Sequence, residues 1–405
     1  MDLELFDYAD GLYEITKEQK VTREMLREFA EREIAPEIQL SDDSASYNRS
    51  FLLKMGRLGV LGLCVSEHYG GSGFDYNCLA IACEELEKVD NSARLTLTTH
   101  VGTYIMPLVQ WGTDEQKVKY LIPAVKGQNV GAFALSESEA GSDAWNIKVT
   151  ARKEGDHYVL NGTKDWVSLI DVADNFLVFA RTGKKISCFI VERSFPGVET
   201  QSISGKMYIR VANTGQLLLN NVRVPRENLL GEEGEGKAVA SSGIDNARFT
   251  VAAGSVGLIH GCLNACVKYA QERKSFGQPI GNFQLIQSKI VDITTSTKIA
   301  RFLVQNVGRL MNEGQFYTRE TAMAKWYATK QAFEAASHAI QIHGANAYLH
   351  DLPLERYLRN AKGAMIYTGT NEIMEIIIAE YTLGIRKDKP LRKRLPTWPF
   401  EDDIL

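Results

Sequence analysis

The sequence predicts an α+β protein in three parts: a helical domain, a central β-barrel domain and a carboxyl-terminal four-helix bundle. Three observations lead to this prediction. The first third places apolar residues at helical spacing, the middle changes to short β-rich runs between Gly, Asn and Asp turns, and the last part contains four long helical stretches. A chain of 405 residues is also too long for one compact core. We expect the domains to cover residues 1–128, 129–235 and 236–405.

The amino-terminal domain begins with an amphipathic helix that we expect to end before Pro36. Its apolar positions are Val21, Met25, Leu26, Phe29 and Ile34. Further helices are predicted over 52–61 and 78–89 from the same periodicity. Thr113 and Gln116 form the sequence pattern of a capping box, which predicts that another helix begins there. This domain is therefore expected to be helical throughout.

The central and carboxyl-terminal domains differ in their turn signals. Strands such as YVL, FLVFAR and ISCFIVE are separated by Asn-Gly and Thr-Gly turns, and regular short strands of this kind predict a barrel or sandwich. The breaks between the last helical stretches are no longer than hairpin loops, which favours an antiparallel bundle. We expect bundle helices over 239–272, 283–312, 319–343 and 354–383. The basic, proline-containing tail is predicted to be an extended arm.

Composition excludes several classes of function. A formal charge of −4 gives no reason to expect a nucleic-acid partner. The six cysteines lack the paired spacing of a zinc site, so we expect no metal and a reducing compartment. The acidic amino terminus lacks the pattern of a secretion or transit signal, and we expect no membrane insertion. These features together favour a cytoplasmic protein.

Two strings in the central part carry chemistry. The segment FALSESEAGSD runs from Phe133 to Asp143, and NGTKDWVS runs from Asn161 to Ser168. Both resemble signatures of the acyl-CoA dehydrogenases, with Ser138 where that family usually has proline. The resemblance implies bound FAD, with Trp166 stacked on the flavin ring and the hydroxyl of Ser168 near its reactive nitrogen. The flavin contacts implied in this part are Phe133, Leu135, Ser136, Gly141, Ser142, Trp166 and Ser168.

Further strings lie in the bundle, and the resemblance therefore covers nearly the whole chain. They are RKSFGQPIGNFQ from Arg273, QIHGA from Gln341 and GTNE from Gly369. The family resemblance implies that the first string reaches the FAD of a neighbouring subunit, with Arg273 at its pyrophosphate, and that the other two hold the adenine-side phosphates. It also implies a homotetramer, with an electron transfer flavoprotein as electron acceptor. A charged pyrophosphate also needs arginine or backbone amides, which agrees with this assignment. The implied residues are Arg273, Phe276, Gln284, Gln341, Gly344, Thr370 and Asn371.

The usual catalytic base of that family is missing. In the family, a glutamate immediately before Gly-Thr removes the α proton of the CoA thioester while a hydride passes to the flavin. This chain has Thr368 there, and a threonine hydroxyl has no suitable pKa for the task. Some members carry the glutamate just before an arginine on the first bundle helix, where this chain has Ala247. Both standard positions are therefore empty.

Three interpretations of this absence remain open. In the first, Asp90 at the end of the helix ELEKVD takes a proton from a carbon beyond the α position. This pattern resembles the cyclohex-1-ene-1-carboxyl-CoA dehydrogenases, which use an aspartate for a 1,4-elimination. The competing interpretation of Asp90 is that it merely ends a helix. A carboxylate at the carboxyl end of a helix is disfavoured by the helix dipole, which argues slightly for a functional role.

In the second interpretation, Arg94 binds the distal carboxylate of a dicarboxylic acyl group, as in glutaryl-CoA dehydrogenases, which Glu87 also matches. In the third, the chain is an acyl-thioester lyase such as a desulfinase, or a CoA-ester-binding pseudoenzyme, neither of which needs α-proton abstraction. Under all three, the resemblance implies a bound acyl-CoA. The substrate contacts expected are Arg94, Ser142, Asp245, Arg248 and Gly369.

Overall fold

The computed structural model describes residues 15–400, and its amino-terminal part is helical, as predicted. Three stretches there, Ala30–Ile34, Leu97–Ile105 and Lys117–Leu121, are wound as π-helix rather than α-helix. The α-helices are α1 (Lys17–Phe29), α2 (Ile38–Ser44), α3 (Arg49–Arg57), α4 (Tyr76–Val89), α5 (Asn91–Thr96), α6 (Met106–Trp111), α7 (Asp114–Gln116) and α8 (Ile122–Val125).

The helix starts follow from side chains that bond the free backbone amides of the first turn. Asp75 accepts from the amide of Cys78 to begin α4. The capping box at Thr113 and Gln116 is confirmed, with both reciprocal hydrogen bonds present. The helix predicted over 52–61 is wrong as one element, because α3 stops before Gly59, whose φ of 75° breaks the helical path.

The central domain is one eight-stranded sheet with the strand order β6-β7-β3-β2-β4-β5-β8, and β1 pairs in parallel with β4. The two longest strands, β3 and β7, pair with each other in antiparallel orientation. The strands are β1 (Gly131–Ala134), β2 (Thr150–Glu154), β3 (His157–Ser168), β4 (Asn175–Thr182), β5 (Lys185–Glu192), β6 (Val198–Ser202), β7 (Thr214–Pro225) and β8 (Leu229–Leu230).

The carboxyl-terminal domain is built on α9, a 37-residue helix that packs against α4, α10 and α11. Its helices are α9 (Gly236–Glu272), α10 (Gln284–Asn312), α11 (Thr318–His343), α12 (Leu354–Ala364) and α13 (Asn371–Thr382), with a short hairpin of β9 (Lys274–Ser275) and β10 (Gln278–Pro279) before α10. The fourth bundle helix predicted over 354–383 is wrong as a continuous element. Thr368 and Gly369 have φ of 61° and 90°, which no α-helix accommodates, so the chain turns there between α12 and α13.

The tail after α13 packs back on the amino-terminal domain. The hydroxyl of Tyr76 donates to the carbonyl of Pro396 at 2.8 Å, and the indole of Trp398 donates to the carbonyl of Gly73. Within residues 15–400, α9 is the one helix long and apolar enough to cross a membrane, and most of it is buried inside the fold, as in the core helix of a bundle. The same residues contain no group of three or more potential metal ligands.

Candidate active site

The turn after β1 lies beside the carboxyl end of β3. The amide of Asp165 donates to the carbonyl of Ser136 at 2.9 Å, which ties the two segments together. The buried ammonium of Lys164 donates to the carbonyl of Leu135 and to Glu137, at 2.9 and 2.7 Å. Burial lowers the pKa of Lys164 to about 8, while Glu137 opposes that shift. This part of the site is therefore rigid.

Trp166 is held in an uncommon conformation at this edge. Its φ is 60°, and 62% of its surface is exposed although the neighbouring residue Val167 is buried. A positive φ is uncommon for a residue other than glycine, and such strained positions are concentrated at functional sites. Ser168 pairs with Thr214 across the sheet, and Ser142 in the turn after β1 is also exposed. An exposed indole face with polar neighbours fits a ligand that has an apolar ring and polar edges, such as a flavin.

The other residues of this region that are expected to contact the flavin differ in their burial. Phe133 is half-buried and packs on Phe179 with ring centroids 4.7 Å apart, while Leu135 is buried and Gly141 is exposed. The residues of this group are thus brought together by the pairing of β3 with β7 and by the hydrogen bond that ties the turn after β1 to Asp165.

The turn between α12 and α13 contains Thr368, the residue at the usual base position. A positive φ is a marked outlier for a β-branched residue, so surrounding contacts must hold the turn. Arg248 provides one of them, because its Nε donates to the carbonyl of Thr368 at 3.2 Å. Arg248 is in turn paired with Asp245 at 2.9 Å. These two expected substrate contacts therefore support the Thr368 turn from α9, next to the expected contact Gly369.

Lys325 is a further support of this turn that the sequence reasoning missed. It is fully buried, and its ammonium donates to the carbonyl of Gly369 and to the side chain of Asn371, both at 2.9 Å. Burial, reinforced by the charge of Arg248, lowers its pKa to about 7. In the sequence, the signal for this buried role is a lysine on a helical face that is rich in alanine. Thr370 completes the turn by capping α13.

Arg94 lies at the centre of a buried network that reaches the same turn. Its Nε donates to Glu87 at 2.5 Å, and its two terminal nitrogens donate to Thr98 and to the hydroxyl of Tyr367, at 2.7 and 2.6 Å. Asn91 joins the network by donating to both Glu87 and Tyr367. Tyr367 directly precedes Thr368, so the network links α4 and α5 to the turn that contains Thr368. Tyr367 and Asn91 were not among the predicted site residues.

The network depends on a glycine of α9. A side-chain carbon at Gly254 would lie 1.9 Å from a carboxylate oxygen of Glu87 and 2.6 Å from Nε of Arg94. Burial raises the pKa of Glu87, against the opposing effect of Arg94. The guanidinium of Arg94 stays charged, since Glu87 and Tyr367 outweigh the effect of burial and raise its pKa.

Asp90 is fully buried, but its carboxylate is already engaged. Arg356 of α12 donates to it at 2.8 Å and Asn360 at 3.3 Å. Its other oxygen accepts from the amide of Ser92 at 2.7 Å and so caps α5. Burial raises the pKa of Asp90, and the charge of Arg356 acts in the opposite direction. The residue therefore has a structural role whether or not it also accepts a proton.

The second standard base position is closely packed. Ala247 is buried on α9, and a carbon added at Gly102 of the π-helical stretch would meet its backbone at 3.4 Å. π-helical turns often occur at functional sites. The backbone of α9 at Ala247 and that of the amino-terminal domain at Gly102 thus lie directly against each other.

The other bundle residues expected at FAD form a separate group at the end of α9 and α11. Tyr269, one turn before Arg273, stacks on His343 with ring centroids 4.2 Å apart, and its hydroxyl accepts from Asn346 at 2.8 Å. These contacts bring the segment of Arg273 next to that of Gly344. Within this group Phe276 has 93% of its surface accessible on the single chain. Four further members are also exposed: Arg273, Gln284, Gln341 and Gly344.

Comparison with known proteins identifies the family. The amino-terminal, middle and carboxyl-terminal domains of acyl-CoA dehydrogenase match residues 16–128, 132–222 and 234–383. This chain belongs to the acyl-CoA dehydrogenase family. Members of the family use FAD, and the exposed face of Trp166 with its polar neighbours fits that cofactor.

Individual relatives are similar over almost their whole length. The probable acyl-CoA dehydrogenase YngJ of Bacillus subtilis is 40% identical over 377 residues, which are 92% of this chain and 99% of the relative. A chain solved in work on the electron transferring flavoprotein of Acidaminococcus fermentans is 41% identical, with a TM-score of 0.90 and coverage of 92% and 99%. The glutaryl-coenzyme A dehydrogenase in complex with glutaryl-CoA is 32% identical, with a TM-score of 0.90 and coverage of 95% and 99%. This acyl-CoA dehydrogenase therefore has the complete fold of its family.

Proposed function

We propose that this acyl-CoA dehydrogenase oxidises a CoA ester of the cyclic enoyl-CoA class. In the reaction the ester loses a proton from a carbon beyond the α position. One observation carries the proposal. The base position holds Thr368, while α4 and the start of α5 contain two fully buried carboxylates, Glu87 and Asp90. A threonine cannot accept the α proton, whereas a buried carboxylate of raised pKa is suited to general base catalysis.

In this proposal the residues of the chain divide the work. Trp166 and Ser168 hold the flavin ring, and the turn of Thr368 and Gly369, fixed by Arg248 and Lys325, holds the thioester. FAD held there would supply the acceptor for the hydride that leaves the ester. The carboxylate of Asp90 accepts the proton, which leaves a conjugated diene as the product. For Asp90 to act, its ion pair with Arg356 must loosen when substrate binds.

A second candidate is a dicarboxylic acyl-CoA, and it is favoured by the hydrogen bonds of Arg94. An arginine has five N–H donors, and three of those on Arg94 have partners within residues 15–400. One N–H remains on each terminal nitrogen, and guanidinium N–H groups donate strong hydrogen bonds to carboxylates. The neighbouring Glu87 offsets the positive charge of Arg94, which weakens this candidate. The resemblance to a glutaryl-coenzyme A dehydrogenase supports it.

Anaerobic mixing of the holoenzyme with a panel of CoA esters tests both candidates. The panel contains cyclohex-1-ene-1-carboxyl-CoA, glutaryl-CoA and butyryl-CoA, and bleaching of the flavin absorbance reports oxidation of the ester. We expect the cyclic ester to bleach the flavin fastest. Fastest bleaching by glutaryl-CoA would establish the second candidate instead. Bleaching by butyryl-CoA alone would make both wrong.

Thr368→Glu provides the matched variant. It places a carboxylate at the usual base position, so oxidation of butyryl-CoA at the α and β carbons should rise by about a hundredfold or more, the usual contribution of a general base. Thr368→Gln, which has the same size without the charge, should not show this gain. Equal gains in both variants would mean that space, and not the base, limits the wild-type protein.

We also propose that an electron transfer flavoprotein reoxidises the enzyme. We propose further that the enzyme is a homotetramer in the cytoplasm. Exposed apolar residues on the bundle support subunit contacts, because such residues on a monomer usually mark an interface. They are Phe276, Leu285 and Val291, at 93%, 79% and 60% exposure. Light scattering should give four times the mass of the chain, and a Phe276→Ser/Leu285→Ser variant should give smaller species with less bound flavin.

A further inference from the structure

The connection between β6 and β7 leaves the sheet and reaches the helical domains. Its ends are closed by the hydrogen bond from the amide of Ile203 to the carbonyl of Thr214, at 2.8 Å. Between them, the amide of Ile209 donates to the side chain of Asn360 on α12 at 2.9 Å. The carbonyl of Met207 accepts from Arg359 of the same helix at 3.0 Å. The sheet domain thus extends an arm, residues 203–213, to α12.

Ile209 is strained at the end of this arm. Its φ of 49° lies in the left-handed region, which is a genuine outlier for a β-branched side chain. The side chain is also only 6% exposed. Strain of this kind persists where the surroundings dictate the conformation, and it is concentrated at binding and switch regions. The position is therefore a candidate for a role in ligand binding.

The side chain of Ile209 packs in a small apolar cluster that is separate from the main core. The cluster contains Leu95, Ile209 and Ala212, with Tyr208 and Tyr367 packed against it. Leu95 follows Arg94 in sequence, and Tyr367 precedes Thr368. The arm therefore reaches the same place as the buried network of Arg94, beside the turn that contains Thr368.

Tyr208 fixes the arm against α12. A side-chain carbon at Gly363 would lie 2.3 Å from the Tyr208 ring, so the ring rests directly on the backbone of the helix that leads to Thr368. The same helix carries Asn360, which bonds both Ile209 and Asp90. Movement of the arm would consequently disturb the turn of Thr368 as well as the wall.

We propose that Ile209, held by Tyr208 and Asn360, is the specificity-determining residue that closes the acyl site from the sheet domain. The side chain limits the depth of the site and so favours short or ring-shaped acyl groups over long linear ones. This inference rests on the CoA-ester site of the proposed function and adds the residue that sets its size.

The test compares holoenzyme that carries Ile209→Gly with holoenzyme that keeps Ile209. Glycine adopts positive φ without strain, so the variant keeps the backbone while it loses the side chain. With Thr368→Glu as a common background, the kcat/KM ratio of octanoyl-CoA to butyryl-CoA should rise by at least about tenfold, because each added methylene that becomes accommodated is worth roughly that factor. Ile209→Ala should change the ratio in the same direction with normal flavin content. This variant replaces Ile209→Gly in the test if the glycine variant does not fold.

Val211→Ala is the matched control. Val211 lies in the same arm and is 5% exposed, but it belongs to the main core. It should lower thermal stability and leave the ratio unchanged. An unchanged ratio in both Ile209 variants, or an equal shift in the Val211 variant, would overturn the specificity role alone. Failure of every CoA ester to bleach the flavin in all proteins would overturn the proposed function, and with it this inference.

Discussion

Asp90 and Arg356 form a buried ion pair, with 2.8 Å between Oδ2 of the aspartate and Nε of the arginine. The residues are 266 positions apart in sequence and join α5 to α12. Breaking a buried pair leaves the other charge uncompensated, which typically costs 3–5 kcal/mol. The pair therefore contributes to the packing of the amino-terminal domain on the bundle.

A double-mutant cycle separates this structural role from a chemical one. We expect Asp90→Asn and Arg356→Met each to lower the free energy of unfolding by about 3 kcal/mol or more, and the double variant to recover part of that loss. If Asp90 accepts the proton, Asp90→Asn also lowers kcat by at least about a hundredfold, while Arg356→Met retains turnover. Urea unfolding and flavin bleaching measure the two effects. Full turnover in Asp90→Asn would show that the residue acts only in structure.

Gly254→Ala should disrupt the network of Glu87 and Arg94. Alanine normally stabilises a helix by about 1 kcal/mol relative to glycine, but here its side chain would collide with both charged groups. We expect a loss of about 3 kcal/mol or more in the free energy of unfolding, together with loss of turnover.

Gly243→Ala in the same helix is the control for this prediction. The nearest atom to its added carbon is 3.2 Å away on Pro107, so a change within about 1 kcal/mol is expected. Similar stability of the two variants would contradict the proposed collision at Gly254.

Trp166→Ala should reduce the flavin retained per chain after gel filtration, since it removes the aromatic surface that we assign to the flavin ring. Trp166→Phe should retain more, because the phenyl ring still provides an apolar face. Trp398→Ala, at a partly exposed tryptophan of the tail, is the control and should keep its flavin. Normal flavin content in Trp166→Ala would remove this residue from the cofactor site.

His100 should make the protein less stable in acid. Its two ring nitrogens bond the amide of Gly131 and the carbonyl of Ala124, and burial lowers its pKa to about 4. The folded protein therefore resists a proton that the unfolded chain takes up below its ordinary pKa of about 6.5. Stability from this group is complete above that value and is lost as pH falls towards 4, by about 3 kcal/mol in all.

His100→Gln tests this assignment, because glutamine can form both hydrogen bonds without titrating. The unfolding free energy of the wild-type protein should fall between pH 7 and 4 by about 3 kcal/mol more than that of the variant. Identical pH dependence in the two proteins would show that His100 does not contribute to acid instability.

Much of the fold followed from local patterns. Thr113 and Gln116 carry a complete capping signal within four residues, and hydrophobic spacing identified α1 and α4 because each buries one face of a helix. The failure at 354–383 has a clear cause: the apolar pattern continues across the turn at Thr368, and the positive φ that breaks the helix is imposed by contacts with Arg248 and Lys325 from other helices.

The sequence alone determined that the chain has the three parts of an acyl-CoA dehydrogenase and that a carboxylate is missing at Thr368 and Ala247, since these are statements about residue type at fixed spacing. Only the tertiary structure decided which groups meet there. Charges and close contacts act through space, so the pairing of Asp90 with Arg356 and the room that Gly254 leaves for Glu87 have no local signal. The same holds for Ile209, whose strained backbone bonds Asn360 only because the sheet domain packs against α12.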